Sequence, residues 1–119
     1  MGMYGLLTKK DIIAFNQEAG ELGEFNNESS LDFALSIVKT KKNWIYELSY
    51  LVRSLLVDHV FQDGNKRTCF LVIIYHLEIN RKEVNKNNVT RIIKKIAKNN
   101  ITNPLIIAEL IYHATKKKD

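Results

Sequence analysis

Nine consecutive residues, His59-Val60-Phe61-Gln62-Asp63-Gly64-Asn65-Lys66-Arg67, bring together a base, a carboxylate, a glycine, an amide and two cations. His59 is the member whose ordinary pKa lies near neutrality, which suits it to take a proton from a hydroxyl nucleophile. Gly64 admits a positive φ and lets a ligand approach the backbone. A helix starting just after it would present unpaired N–H groups and the positive end of its dipole. Together these make an anion cradle. Lys66 and Arg67 add two full charges, so the physics points to a polyphosphate. Asp63 offers the hard oxygen that Mg²⁺ needs when it bridges protein and phosphate. Phe61 is expected to point inward and pin the loop to a core, because phosphoryl or nucleotidyl transfer depends chiefly on fixed positions.

Such a loop needs firm supports on both sides. Thr8-Lys9-Lys10-Asp11 reads as a capped helix start, with helix one running to about Ala19. Gly20 and Gly23 bracket an acidic turn that continues as a loop through Phe25-Asn26-Asn27-Glu28-Ser29. Ser30 is placed to cap a second helix through Lys41, with Leu31, Ala34, Leu35 and Val38 on one face. Asn43 suits the cap of a third, whose stripe of Ile45, Leu48, Leu51, Val52, Leu55 and Leu56 is too broad for a half-exposed helix and predicts a central one. From Asn65 to Asn80 the chain is apolar enough for a buried strand, but its length and the lack of any alternating partner predict helix. A polar turn over Asn80 to Asn88 precedes a fifth helix marked by Val89, Ile92, Ile93 and Ile96, which stops at Asn99-Asn100. Pro104 opens a sixth, carried by Leu105, Ile106, Ala108, Leu110, Ile111 and Ala114. The expectation is an all-α single domain over residues 1–119, with its core over about 6–114 and a basic end at 115–119.

Composition bounds what this domain can be. A chain of 119 residues with 45% hydrophobic and 26% charged residues affords one folded core and excludes disorder. Its longest apolar stretch, Cys69 to Leu77, falls far short of the ~20 residues that span a bilayer. The first residues show neither a secretory signal nor a myristoylation pattern, and the lone Cys69 forms no internal disulfide, so a cytoplasmic setting is expected. The net charge is 18 − 13 = +5, of which Lys116, Lys117 and Lys118 less Asp119 supply +2. The body is only mildly basic, which favours phosphates or an acidic partner over nucleic acid.

The nine residues resemble the Fic/Doc signature, HxFx(D/E)(G/A)N(G/K)(R/K), at His59, Phe61, Asp63, Gly64, Asn65 and Arg67. The family sets this loop between two central helices of a small α-helical domain, so the resemblance extends over roughly Leu6 to Ala114. It implies that His59 is the general base toward a Ser, Thr or Tyr hydroxyl of a protein target, and that Asp63 holds Mg²⁺. Gly64 and Asn65 would bind phosphate oxygens of ATP, with Lys66 and Arg67 neutralising their charge. Adenylyl-transferring members usually carry Gly after the motif Asn and a second Arg one turn later, whereas Lys66 and Phe70 stand there. That pattern is similar to the Doc (death-on-curing) branch, whose toxins phosphorylate a translation elongation factor. Gly64 leans toward the Fic branch, since Doc toxins often have Ala. The loop from Phe25 to Ser30 falls where the family has a flap that aligns the target. Autoinhibited members hold a (S/T)xxxE(G/N) helix, and no Glu here is followed by Gly or Asn. A separate antitoxin is therefore implied.

Blander readings stand beside these. The segment could be an ordinary capped junction. Zinc is poorly served, because His59 and Asp63 are two ligands and only His76 and His113 lie elsewhere. Those histidines are read as helix residues without a catalytic role, Cys69 as a small core residue, and Trp44 and Tyr46 as packing. Arg91, Lys94, Lys95 and Lys98 follow helical spacing and read as a solvated face. Three functions remain open: a Doc-type protein kinase, a protein adenylyltransferase, and a non-catalytic basic helical module.

Overall fold

The computed structural model describes residues 7–39 and 43–115. They form six helices, α1 (Lys9–Glu18), α2 (Glu28–Val38), α3 (Trp44–Leu56), α4 (Asn65–Ile79), α5 (Lys86–Asn99) and α6 (Pro104–Thr115), with no strand among the described residues. The fold is all-α. No helix among them is long and apolar enough to cross a membrane.

Most helix starts follow from short polar side chains that accept the first free N–H groups. Thr8 and Asp11 form a capping box on α1 at 2.9 and 3.2 Å, and Asn43 accepts from Ile45 and Tyr46 to open α3. Two expected starts move. α2 is capped by Asn27, not Ser30, so it begins earlier, and it ends at Val38; the expected extension to Lys41 runs into residues outside those described. Asn85 caps α5, which takes three residues from the expected 80–88 turn. In both cases an Asn placed earlier offers its side-chain oxygen to the N–H three residues on, and the helix starts at the first good cap.

α3 is the hub, packed against α2, α4 and α6. Leu48, Leu51, Val52 and Leu55 are fully buried on it, as the broad stripe requires. α6 turns Ile107 and Ile111 inward, one helical turn apart, and leaves Leu105 and Ile106 exposed. α1 lies on α4 through the edge-to-face pair of Phe15 and Tyr75, and its Lys9 reaches Glu28 and Asp32 of α2 at 2.6 and 2.7 Å. The chain between α3 and α4 is thus held by the two most buried helices, with α1 and α5 to either side of α4.

Candidate active site

The site is built where α3 ends and α4 begins. Phe61 is 1% exposed and stacks on Phe25 with ring centroids 5.3 Å apart, an arrangement worth about 0.5–1.5 kcal/mol beyond simple burial. It pins the loop to the core as expected. Around it the backbone of 24–27 pairs with that of 60–62: Gln62 N donates to Glu24 O at 3.0 Å, and Asn26 N and Asn27 N donate to Val60 O at 2.7 and 3.0 Å. The side chains of Asn26 and Asn27 add bonds to the carbonyls of His59 and Asp58, and Ser30 Oγ donates to Asp58 Oδ2 at 2.7 Å. The loop expected as a flap is therefore fastened along its length to residues 58–62, which include the start of the candidate motif.

Asn65 closes the loop from the other side. Its amide oxygen accepts from Phe61 N at 2.9 Å and its nitrogen donates to Phe61 O at 2.8 Å. A residue read as a phosphate ligand thus braces the loop first, with one amide hydrogen left for a ligand. Gly64 has φ +76° and opens α4 without a side-chain cap. Alanine would be strained at this φ, and its Cβ would lie 2.5 Å from Glu21 Cγ, so the Glu21 side chain would have to shift. The N-terminal turn of α4 keeps its outward N–H groups and its positive dipole end toward solvent.

His59 is exposed and held at φ +54°, a left-handed conformation that costs a non-glycine residue about 1–2 kcal/mol. The surrounding bonds impose it: His59 O is held by Asn26, and Val60, the next residue, is fully buried. Neither the imidazole nor the carboxylate of Asp63 has a hydrogen-bond partner among the described residues. Both line a cleft of about 930 Å³ together with Gly64, Asn65, Lys66 and Arg67. Its apolar floor is Leu55 and Leu56, and its far wall is the end of α5, including Lys94 and Lys98. All the catalytic, phosphate-binding and metal-binding residues read from the sequence are brought to one concavity; Phe61 lies beneath it.

Several residues of the site escaped the sequence reading. Asn16 is buried on α1, and its amide nitrogen donates to Asp63 O at 3.0 Å and Thr68 Oγ1 at 3.1 Å while its oxygen accepts from Gly23 N at 2.8 Å. One side chain thus ties together three segments. The available signal was a polar residue one turn after Ile12 on an apolar stripe. Glu21, from the turn after α1, is paired with Arg67. No spacing rule announced that contact. Lys94 and Lys98 part from Arg91 and Lys95, which are exposed but do not line the cleft.

Metal binding can be tested on donor chemistry. No cluster of three or more His, Cys, Asp or Glu side chains occurs among the described residues, so a site built by protein ligands alone, as structural zinc needs, is absent there. Mg²⁺ is commonly held by one or two carboxylates with water and substrate phosphates. Asp63, exposed beside the α4 N-terminus, fits that pattern.

Comparison of the chain with protein-family models, with curated proteins and with solved structures gives no match in any of the three.

Proposed function

We propose that the chain is a Doc-like phosphotransferase that moves the γ-phosphoryl group of ATP to a Ser, Thr or Tyr hydroxyl of a protein. The observation that carries this is His59: a base held in a strained left-handed conformation, in the same cleft as an uncapped helix N-terminus and two adjacent cations. Strain of this kind persists where surrounding structure over-determines it, and it concentrates at functional sites.

In this reading His59 accepts the hydroxyl proton as the oxygen attacks the γ-phosphorus, and the bond from that phosphorus to the oxygen bridging it to the β-phosphate breaks, releasing ADP. Lys66, the outward N–H groups of α4 and the free amide hydrogen of Asn65 orient the phosphates, and Arg67 stabilises charge on the transferring group. Glu21 must give up Arg67 for that contact to form. Asp63 would hold Mg²⁺, which when bound would supply neutralisation of phosphate charge. Phe70, one turn beyond Arg67, packs against the core, so this face of α4 carries one guanidinium and not two. That supports the kinase branch over adenylyl transfer. Gly64 does not counter it, because its φ and the crossing of Glu21 explain the glycine without reference to a nucleotide. By the same resemblance the chain acts as a toxin on a translation factor in the cytoplasm, under control of a separate antitoxin.

Incubation with ATP labelled at either phosphate tests the reading. Label from the γ position should pass to protein, and His59→Ala should slow that transfer by about 10²–10⁴-fold, as loss of a general base does. Asp63→Ala should slow the transfer and raise the Mg²⁺ concentration it needs. Transfer of α label means adenylylation. If both variants remain as active and as growth-inhibitory as the parent, the site is not catalytic, and a basic helical module is the remaining description.

A further inference from the structure

Four cations lie along the outer side of α5, and the fold divides them. Lys94 and Lys98 line the cleft with Ala97, whereas Arg91 and Lys95 take no part in its lining. Neither Lys94 nor Lys98 has an acidic partner among the described residues. Two lysines four residues apart are neighbours on a helix and repel each other modestly. The C-terminal dipole favours Lys98 in the last turn of α5 but does little for Lys94, a turn earlier. Local helix energetics thus accommodate each lysine singly but do not favour the two as a pair.

The cleft gives a reason for the pair. It carries cations on two separate helices, Lys66 and Arg67 at the start of α4 and Lys94 and Lys98 in the second half of α5, and its lining also includes the apolar Leu55, Leu56 and Ala97. A single phosphate seated on the N-terminal turn of α4 meets the first pair. We propose that Lys94 and Lys98 form a second anion subsite, which receives the distal part of a polyphosphate chain whose other part lies on α4. This rests on the nucleotide reading above and assigns it two further binding residues. Lysine suits the task, since a hydrated point charge on a flexible stem can follow a phosphate chain without demanding one bidentate geometry. A peptide is less well served, because the α5 wall is helical and offers no free backbone edge to pair with.

Calorimetric titration of the full chain with orthophosphate, tripolyphosphate and MgATP, at low and moderate salt, tests this. Tripolyphosphate should bind the parent more tightly than orthophosphate. The Lys94→Gln/Lys98→Gln variant should lose about tenfold in tripolyphosphate and MgATP affinity, with the loss shrinking as salt rises, and under twofold for orthophosphate. Lys94→Gln alone should lose about threefold. Arg91→Gln/Lys95→Gln removes the same charge from positions outside the cleft and should change every affinity by less than twofold. Gln keeps helix propensity and all four positions are exposed, so an unchanged melting temperature is expected throughout. Equal losses in the two double variants, or none in either, overturn the subsite while leaving nucleotide binding intact. A parent that binds neither tripolyphosphate nor MgATP overturns the nucleotide reading and the subsite with it.

Discussion

His59 and His76 flank and occupy the same helix, and they meet opposite physics. His76 is 7% exposed in the interior of α4, where its Nδ1–H donates to Val72 O at 2.8 Å and burial pushes its pKa down. Cys69, two turns earlier on the same face of the helix, is fully buried, and desolvation drives its thiol far above the ordinary range, which leaves it inert as a nucleophile. His59 stands just before the helix, exposed, on strained backbone, with its ring free for a substrate. The difference teaches that reactive residue types acquire chemistry from where the backbone releases them. A helix interior satisfies or buries such groups, whereas a loop pinned at both ends can present them in a fixed place.

That contrast predicts that the loop depends on the core as strongly as the helix does. Phe61→Ala should cost about 3–5 kcal/mol in urea unfolding, as for any large buried side chain, and should abolish transfer with it. A cost below 1 kcal/mol would mean that the loop stands without its anchor. A smaller effect separates the buried histidine. Because the folded pKa of His76 is lowered from 6.5, the unfolded chain binds a proton that the folded chain refuses, so stability should fall as pH drops from about 6.5 toward the lowered folded value. His76→Gln should flatten that part of the pH–stability curve, and an unchanged slope would show that His76 is not its source. The smallest effect belongs to the exposed side. Glu21→Gln should release Arg67 and tighten MgATP binding by up to about fivefold, consistent with the ~0.2–1 kcal/mol of an exposed ion pair, with no change in melting temperature. Weaker binding would instead make Glu21 a support that positions Arg67.

Local patterns explain why so much of the fold was legible. The six helices follow from hydrophobic period and from caps such as Thr8 and Asn43, because both are interactions within a few residues. The same locality misplaced the start of α2, where Asn27 and Ser30 were both acceptable caps and only the chain's path to Asp58 used the serine elsewhere. The motif was legible as a unit because its members are consecutive. Its bracing was not: Asn16, Phe25, Asn26 and Asn27 reach the loop from α1 and from the turn before α2, and nothing in their own neighbourhoods marks the contact.

The sequence by itself determined the helices, the buried stripe of α3, and which residue types meet between α3 and α4, since periodicity, capping and adjacency are properties of short stretches of chain. Only the tertiary structure decided that Asn65 braces before it can bind, that Glu21 occupies Arg67, and that two of the four α5 cations face the cleft. Each of these depends on how separate helices pack, and packing brings together residues whose separation along the chain carries no local signal.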